Sequence, residues 1–87
     1  MAHFARIDSD NKVREVIVVN NDVITDENGE EQEALGQAFI SSLGMDGTWL
    51  QCSYNGNFRG RYPSYDFTYD SELDEFVAPV SEVIEEA

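Results

Sequence analysis

From Thr48 to Val77 the chain alternates aromatic and β-branched residues with polar ones, punctuated by Asn55-Gly56, Arg59-Gly60 and Pro63-Ser64. That period of two, broken by turn formers, is the signature of short strands joined by tight turns. The stretch holds the only Trp, all four Tyr, three of the five Phe and two of the five basic residues, so most of the aromatic mass must be built as sheet. Within it, Trp49, Gln51 and Ser53 share one face of a strand over Thr48–Tyr54, and Leu50, Cys52 and Tyr54 the other. Leu50 and Cys52 are expected in the core, with Cys52 a small apolar residue and not a nucleophile. Phe58–Tyr62 is compatible with a strand or a semi-ordered loop. Tyr65, Phe67 and Tyr69 alternate with Asp66, Thr68 and Asp70, which predicts a strand with one aromatic face. A turn over Asp70–Asp74 returns the chain to Glu75–Val77 and makes a terminal hairpin.

The N-terminal half adds a second hairpin and a helix. Residues 3–8 predict a short strand, Asp8–Asn11 a turn, and Lys12–Asn20 a longer strand. In the latter, Val16-Ile17-Val18-Val19 gives four consecutive β-branched residues, which predicts a central strand buried on both faces. His3 reads as a strand-edge residue and not a ligand. Val23 and Ile24 suggest a brief extended segment. A helix is predicted from about Glu30 to Leu43, with Asn28 and Glu31 at capping-box spacing and Gly44 as its C-terminal cap. Leu35, Ala38, Phe39 and Ser42/Leu43 form its apolar face; Gln32, Glu33, Gln37 and Ser41 lie mainly opposite. Gly36 permits close approach to the sheet.

The order β-β-α-β-(β)-β-β predicts a small α+β domain. It has one antiparallel sheet of about five strands and one helix packed on one face. Residues 1–79 form the domain; 80–87, with Glu82, Glu85 and Glu86, form an acidic tail expected to be frayed or weakly helical. At 87 residues the core is modest, which makes self-association a natural way to gain stability.

Charge narrows the function. Eighteen carboxylates against five basic side chains give a net charge of −13, which speaks against phosphate-directed nucleic-acid binding and against anionic membrane surfaces. Solubility, a basic protein partner or screening by divalent cations is favoured. No segment reaches the roughly 20 apolar residues of a membrane span, the N-terminus lacks a signal-peptide pattern, and one cysteine forms no internal disulfide. Together these predict a cytoplasmic protein, or one assembled there into something larger. The Asp26–Gly29 loop resembles part of an EF-hand, but Ile24 and Leu35 would stand at its first and twelfth positions, so calcium is not expected. Nor does any motif imply a cofactor or a catalytic group. A catalytic or metal-binding alternative requires a pocket that collects His3 or Cys52 with carboxylates.

The remaining signal is Tyr54-Asn55-Gly56-Asn57-Phe58-Arg59-Gly60-Arg61-Tyr62. Tyr, Phe and Arg are hot-spot residue types, so Tyr54, Asn55, Asn57, Phe58, Arg59, Arg61 and Tyr62 are the candidate interaction surface. Arg59 and Arg61 could contact the acidic surface of a second copy. In the bland alternative, Tyr54 and Phe58 pack inward and the arginines pair with nearby carboxylates.

In the same stretch the chain resembles a family of small uncharacterised proteins of marine tailed bacteriophages, those infecting cyanobacteria in particular. The features are Met1–Ala5 with Val16–Asn20, Asp26–Gly29, Ala38-Phe39, Gly47-Thr48-Trp49 with Gln51, Ser53–Arg59, and Tyr69-Asp70 through Asp74 to Phe76. Trp49–Arg59 is the most specific block. The chain departs from the family where members often carry a Gly-rich stretch (here 61–65) and a Pro-rich, Trp-containing tail (here 82–87). The resemblance implies phage origin, no enzyme activity, and a virion-associated or assembly role through protein contacts, in the virion or the host cytoplasm. The alternative is an early-infection protein whose acidic surface binds a host factor, one form of which imitates nucleic-acid charge.

Overall fold

Strand β1 (Ala2–Ile7) lies at the centre of the main sheet because both its faces carry apolar side chains: Ala2 and Phe4 on one, Ala5 and Ile7 on the other. A computed structural model describes residues 1–79; the tail expected at 80–87 lies outside the described residues. β1 pairs antiparallel with β2 (Val13–Val19) on one side and with β3 (Thr48–Cys52) on the other, giving the order β2-β1-β3. Two short strands, β4 (Thr68–Asp70) and β5 (Glu75–Val77), form a separate antiparallel pair. The α+β class and the five strands match expectation, but the strands divide into two sheets, not one.

The division follows from having two cores. On one face of the main sheet, Ala2, Phe4, Val19 and Trp49 pack with Ile24 and Ile40 of the helices. On the other face, Ala5, Ile7, Val13 and Cys52 pack with Phe76, and Leu50, Tyr62, Phe67 and Tyr69 lean against them. The terminal hairpin therefore covers the second core, and it is also tied to the start of β2. Lys12 and Thr68 form an isolated antiparallel bridge, and Val13 N donates to the Phe67 carbonyl and Tyr69 N to the Asn11 carbonyl, each at 2.7 Å.

Three further expectations are corrected. β2 is an edge strand, and Val18 is 52 % exposed. Its β-branched run records strand preference, which does not require burial on both faces; the central place goes to β1, whose second edge β3 takes. Val23 and Ile24 are not extended but belong to a one-turn helix, α1 (Asn21–Ile24). It is capped by the Asn20 side chain, whose Oδ1 accepts from the Asp22 N–H at 2.9 Å. The predicted capping box does not form either. Asp26 Oδ1 accepts from the Asn28 and Glu30 N–H groups, and Gln32 N donates to the Ile24 carbonyl. Residues 25–32 are thus held as a folded loop, and the second helix, α2 (Glu33–Ser42), starts three residues later than predicted.

The face that α2 turns inward is also not the predicted one. Gly36 and Ile40 are buried, whereas Leu35, Phe39 and Leu43 are exposed. Polar side chains decide this. Glu33 Oε2 accepts from the Gln51 N–H at 2.6 Å, and Gln37 Nε2 donates to the Trp49 carbonyl at 2.6 Å. β3 is an outer strand, and its free edge needs partners for these backbone groups. Glu33 and Gln37, one helical turn apart, supply them. Gly36 lies between, so close to the sheet that an added Cβ would collide with the Phe4 ring and come within 2.9 Å of Ile24 Cγ2. Gly44, at φ +81°, ends the helix as predicted.

Candidate interaction surface

The loop after β3 is built on Ser53. Its carbonyl accepts from the Gly56 N–H at 3.0 Å and its buried Oγ from the Asn57 N–H at 2.9 Å, which closes residues 53–57 into a tight turn. Gly56 takes φ +70°, and a Cβ there would stand 3.1 Å from the Gly60 carbonyl oxygen, so the loop folds back on itself at this point. Gly60 then makes an isolated bridge with Phe76, and Phe76 N donates to the Arg59 carbonyl at 3.0 Å. Residues 58–62 are a loop fastened to β5, which decides between the two sequence readings.

Arg59, at φ +55°, turns its side chain back under the loop. Nη1 and Nη2 reach Glu33 Oε2 and Oε1 at 2.5 and 3.3 Å, Nη1 also donates to the Gln51 carbonyl at 2.9 Å, and Nε donates to Asp74 Oδ1 at 2.9 Å. Asp74 Oδ1 accepts in addition from the Tyr69 hydroxyl at 2.5 Å. The guanidinium therefore joins α2, β3 and the β4–β5 turn at one point. Burial alone would lower the Arg59 pKa, but the hydrogen bonds and charges of Glu33 and Asp74 outweigh it and raise the net value. Asp74 is held below the usual carboxylate range by the Tyr69 and Arg59 hydrogen bonds.

The seven residues singled out in the sequence do not act as one patch. Tyr54 stacks on His3, with centroids 5.6 Å apart, and Tyr62 meets both rings edge-on. Tyr62 is half-buried against the second core, which pushes its hydroxyl pKa up, while Tyr54 is 67 % exposed. Asn55, Asn57, Phe58 and Arg61 are exposed as well. Tyr54 and Phe58 thus do not pack inward. Arg59 pairs with carboxylates, and Arg61 makes no ion pair among the described residues. Arg59 and Arg61 are two positions apart, the first held by carboxylates and the second exposed.

Glu33, Gln51, Asp74 and His3 belong to this surface and were not singled out for it. Nothing in the local sequence joins Glu33 to Arg59 across 26 positions. An open groove of about 370 Å³ runs beside the pair, lined by Glu31, Glu33, Gln51, Phe58, Arg59 and Asp74.

His3 is not at a strand edge; it lies in the central strand between Val18 and Cys52. A second pocket, of about 200 Å³, does collect His3, Cys52 and Glu31. Burial pushes the Cys52 thiol up to about 12, however, so at neutral pH it is a protonated core residue. Asp26 has its carboxylate directed at loop N–H groups and the Gln32 amide. Among the described residues no His, Cys, Asp and Glu side chains gather as a metal-ligand set, and no helix is long and apolar enough to cross a membrane. No protein-family model, curated protein or solved structure matches this chain.

Proposed function

We propose that this chain is a non-enzymatic accessory or structural component of a tailed-bacteriophage particle, acting through protein–protein contacts made by the 54–62 loop. The observation that carries the contact surface is the fixing of the loop by Arg59, which leaves Tyr54 and Phe58 exposed above a rigid base. A loop already held in one shape loses little entropy on binding, and exposed aromatics with an exposed arginine are the side chains that anchor interfaces. The contact residues are Tyr54, Asn55, Asn57, Phe58 and Arg61, with His3 and Tyr62 supporting Tyr54 from behind. Arg59 is a positioning residue. The phage assignment rests on the family resemblance, whose most specific block is Trp49–Arg59, and the site of action follows from it: the host cytoplasm during infection, and the particle.

Mass spectrometry of purified particles of the encoding phage tests the proposal. The protein is expected in them, and a Tyr54→Ser/Phe58→Ser variant with an unchanged circular-dichroism spectrum is expected to be lost from them. Absence of the wild-type protein from particles overturns the virion role; retention of the variant overturns the loop.

One observation favours the alternative of an acidic protein that engages a basic host factor. Residues 15–58 contain eight carboxylates and no Lys or Arg, six of the eight falling between Asp22 and Glu33. Binding of that kind weakens steeply with salt, whereas the aromatic loop contact persists.

A further inference from the structure

Among the described residues nothing covers the outer face of α2, and its composition sets it apart from the rest of the molecule. The twelve residues from Ala34 to Met45 carry no ionisable side chain, in a chain of net charge −13. Along the exposed side run two neighbouring rows with a spacing of four. One is small (Ala34, Ala38, Ser42), the other large (Leu35, Phe39, Leu43). The large row is turned outward, Leu43 at 57 % and Leu35 and Phe39 at 38 % and 36 % exposure, because Glu33 and Gln37 took the inward face to close the edge of β3.

We infer that two copies of this chain pair through the outer faces of α2, the large row of each lying in the furrow of the other's small row. Three observations select a second copy as the occupant. First, two bodies of charge −13 repel wherever carboxylates meet, and this face brings none to the contact. A basic partner, conversely, would find nothing here to pair with. Second, a ridge of large residues beside a furrow of small ones, both on the i, i+4 spacing, is self-complementary. Packing the i±4 rows of two helices into each other is the commonest helix–helix arrangement, and a two-fold axis makes the contact reciprocal. Third, Ser42 Oγ donates to the Phe39 carbonyl at 2.6 Å, so the one hydroxyl in the furrow already has a partner and is covered at little cost. A ten-residue helix is about 15 Å long, so the interface is small and the dimer weak and concentration-dependent. This face is separate from the 54–62 loop, and the inference does not depend on the function proposed for that loop.

Sedimentation velocity of the full chain over a range of concentrations, at low and high salt, tests the pairing. The mass is expected to double with concentration, and the dimer to tighten as salt screens the repulsion between the two bodies. Leu35→Glu/Phe39→Glu, both at exposed positions, should keep the native circular-dichroism spectrum and weaken the dimer by about a hundredfold or more, the effect of losing two apolar side chains from each copy. As an independent check, Ala38→Cys should give a covalent dimer under mild oxidation, while Ser9→Cys in the exposed β1–β2 turn should not. A monomer at every concentration overturns the inference. So does a dimer that persists in the double Glu variant, or one that dissociates as salt is raised.

Discussion

Arg59→Met in an otherwise unchanged chain tests the central structural claim, that one guanidinium fastens three elements together. The Arg59 side chain is 17 % exposed and that of Glu33 30 %, so the pair lies between a surface ion pair, worth about 0–1 kcal/mol, and a fully buried one, whose rupture costs about 3–5 kcal/mol. The Gln51 carbonyl also loses a donor, but the adjoining groove lets water replace it. The contact with exposed Asp74 adds nothing to the sum. The expected loss is about 2 kcal/mol. With about 1 kcal/mol/M for a urea slope in a domain this small, the midpoint should fall by about 2 M. A fall of about 8–16 °C in melting temperature should accompany it. Met keeps much of the apolar stem, and it meets the same positive φ as Arg, so backbone strain cancels in the comparison. Glu33→Gln keeps an acceptor for the Gln51 N–H, and a double-mutant cycle with it should return a coupling of about 1 kcal/mol or more. Arg61→Met should change stability by less than about 0.5 kcal/mol, as for an exposed side chain with no ion pair among the described residues. Equal costs at 59 and 61, or a coupling near zero, would refute the reasoning.

Acid should act in two opposite stages. Protonating the free carboxylates from neutral pH downward relieves self-repulsion and raises stability. Below that, Asp8 reverses the trend. The Lys12 N–H and the Arg14 guanidinium hold its pKa down to about 2 from 3.8, so its contribution is complete above the unfolded value and disappears as pH falls through about 2. Urea midpoints measured against pH should therefore pass through a maximum, and Asp8→Asn should flatten the acid limb. Gly36→Ala, which in an exposed helix interior would stabilise by about 1 kcal/mol, should here destabilise by about 1–3 kcal/mol, because the new methyl meets the Phe4 ring; thermal melts give the sign. Cys52 should react with a disulfide reagent only on the timescale of unfolding, as its burial and raised pKa require; rapid labelling of the native protein would contradict them.

Local features of the sequence were read correctly where the physics is local. The two hairpins, the turn at Asp8–Asn11, the Gly44 helix end and the burial of Cys52 follow from turn chemistry, side-chain period and size. Asn28 and Glu31 show how a local signal fails. Their spacing fits a capping box, but Asp26 offers its carboxylate to the same stretch of backbone and holds it as a loop. The candidate surface was legible as a composition, not as an arrangement. Tyr54 and Phe58 are exposed aromatics as an interface requires, yet their support comes from His3, Glu33 and Asp74, which are remote in the chain.

By itself the sequence determined the N-terminal hairpin, the strand after Gly47, the acidic character and the existence of one amphipathic helix, since each depends on neighbours within a few residues. Of the strand expected over Tyr65–Asp70 only Thr68–Asp70 forms, because Asp66 at φ +73° turns the chain before it. Only the tertiary structure decided which face of that helix turned inward and which of two arginines is held by Glu33 and Asp74. The free edge of β3 presents a carbonyl and an N–H that must find partners, and Glu33 and Gln37 meet that need better than Leu35 and Phe39 could. Hydrophobic periodicity ranks side chains by their own transfer cost; it contains no information about an unpaired backbone edge that the fold brings alongside.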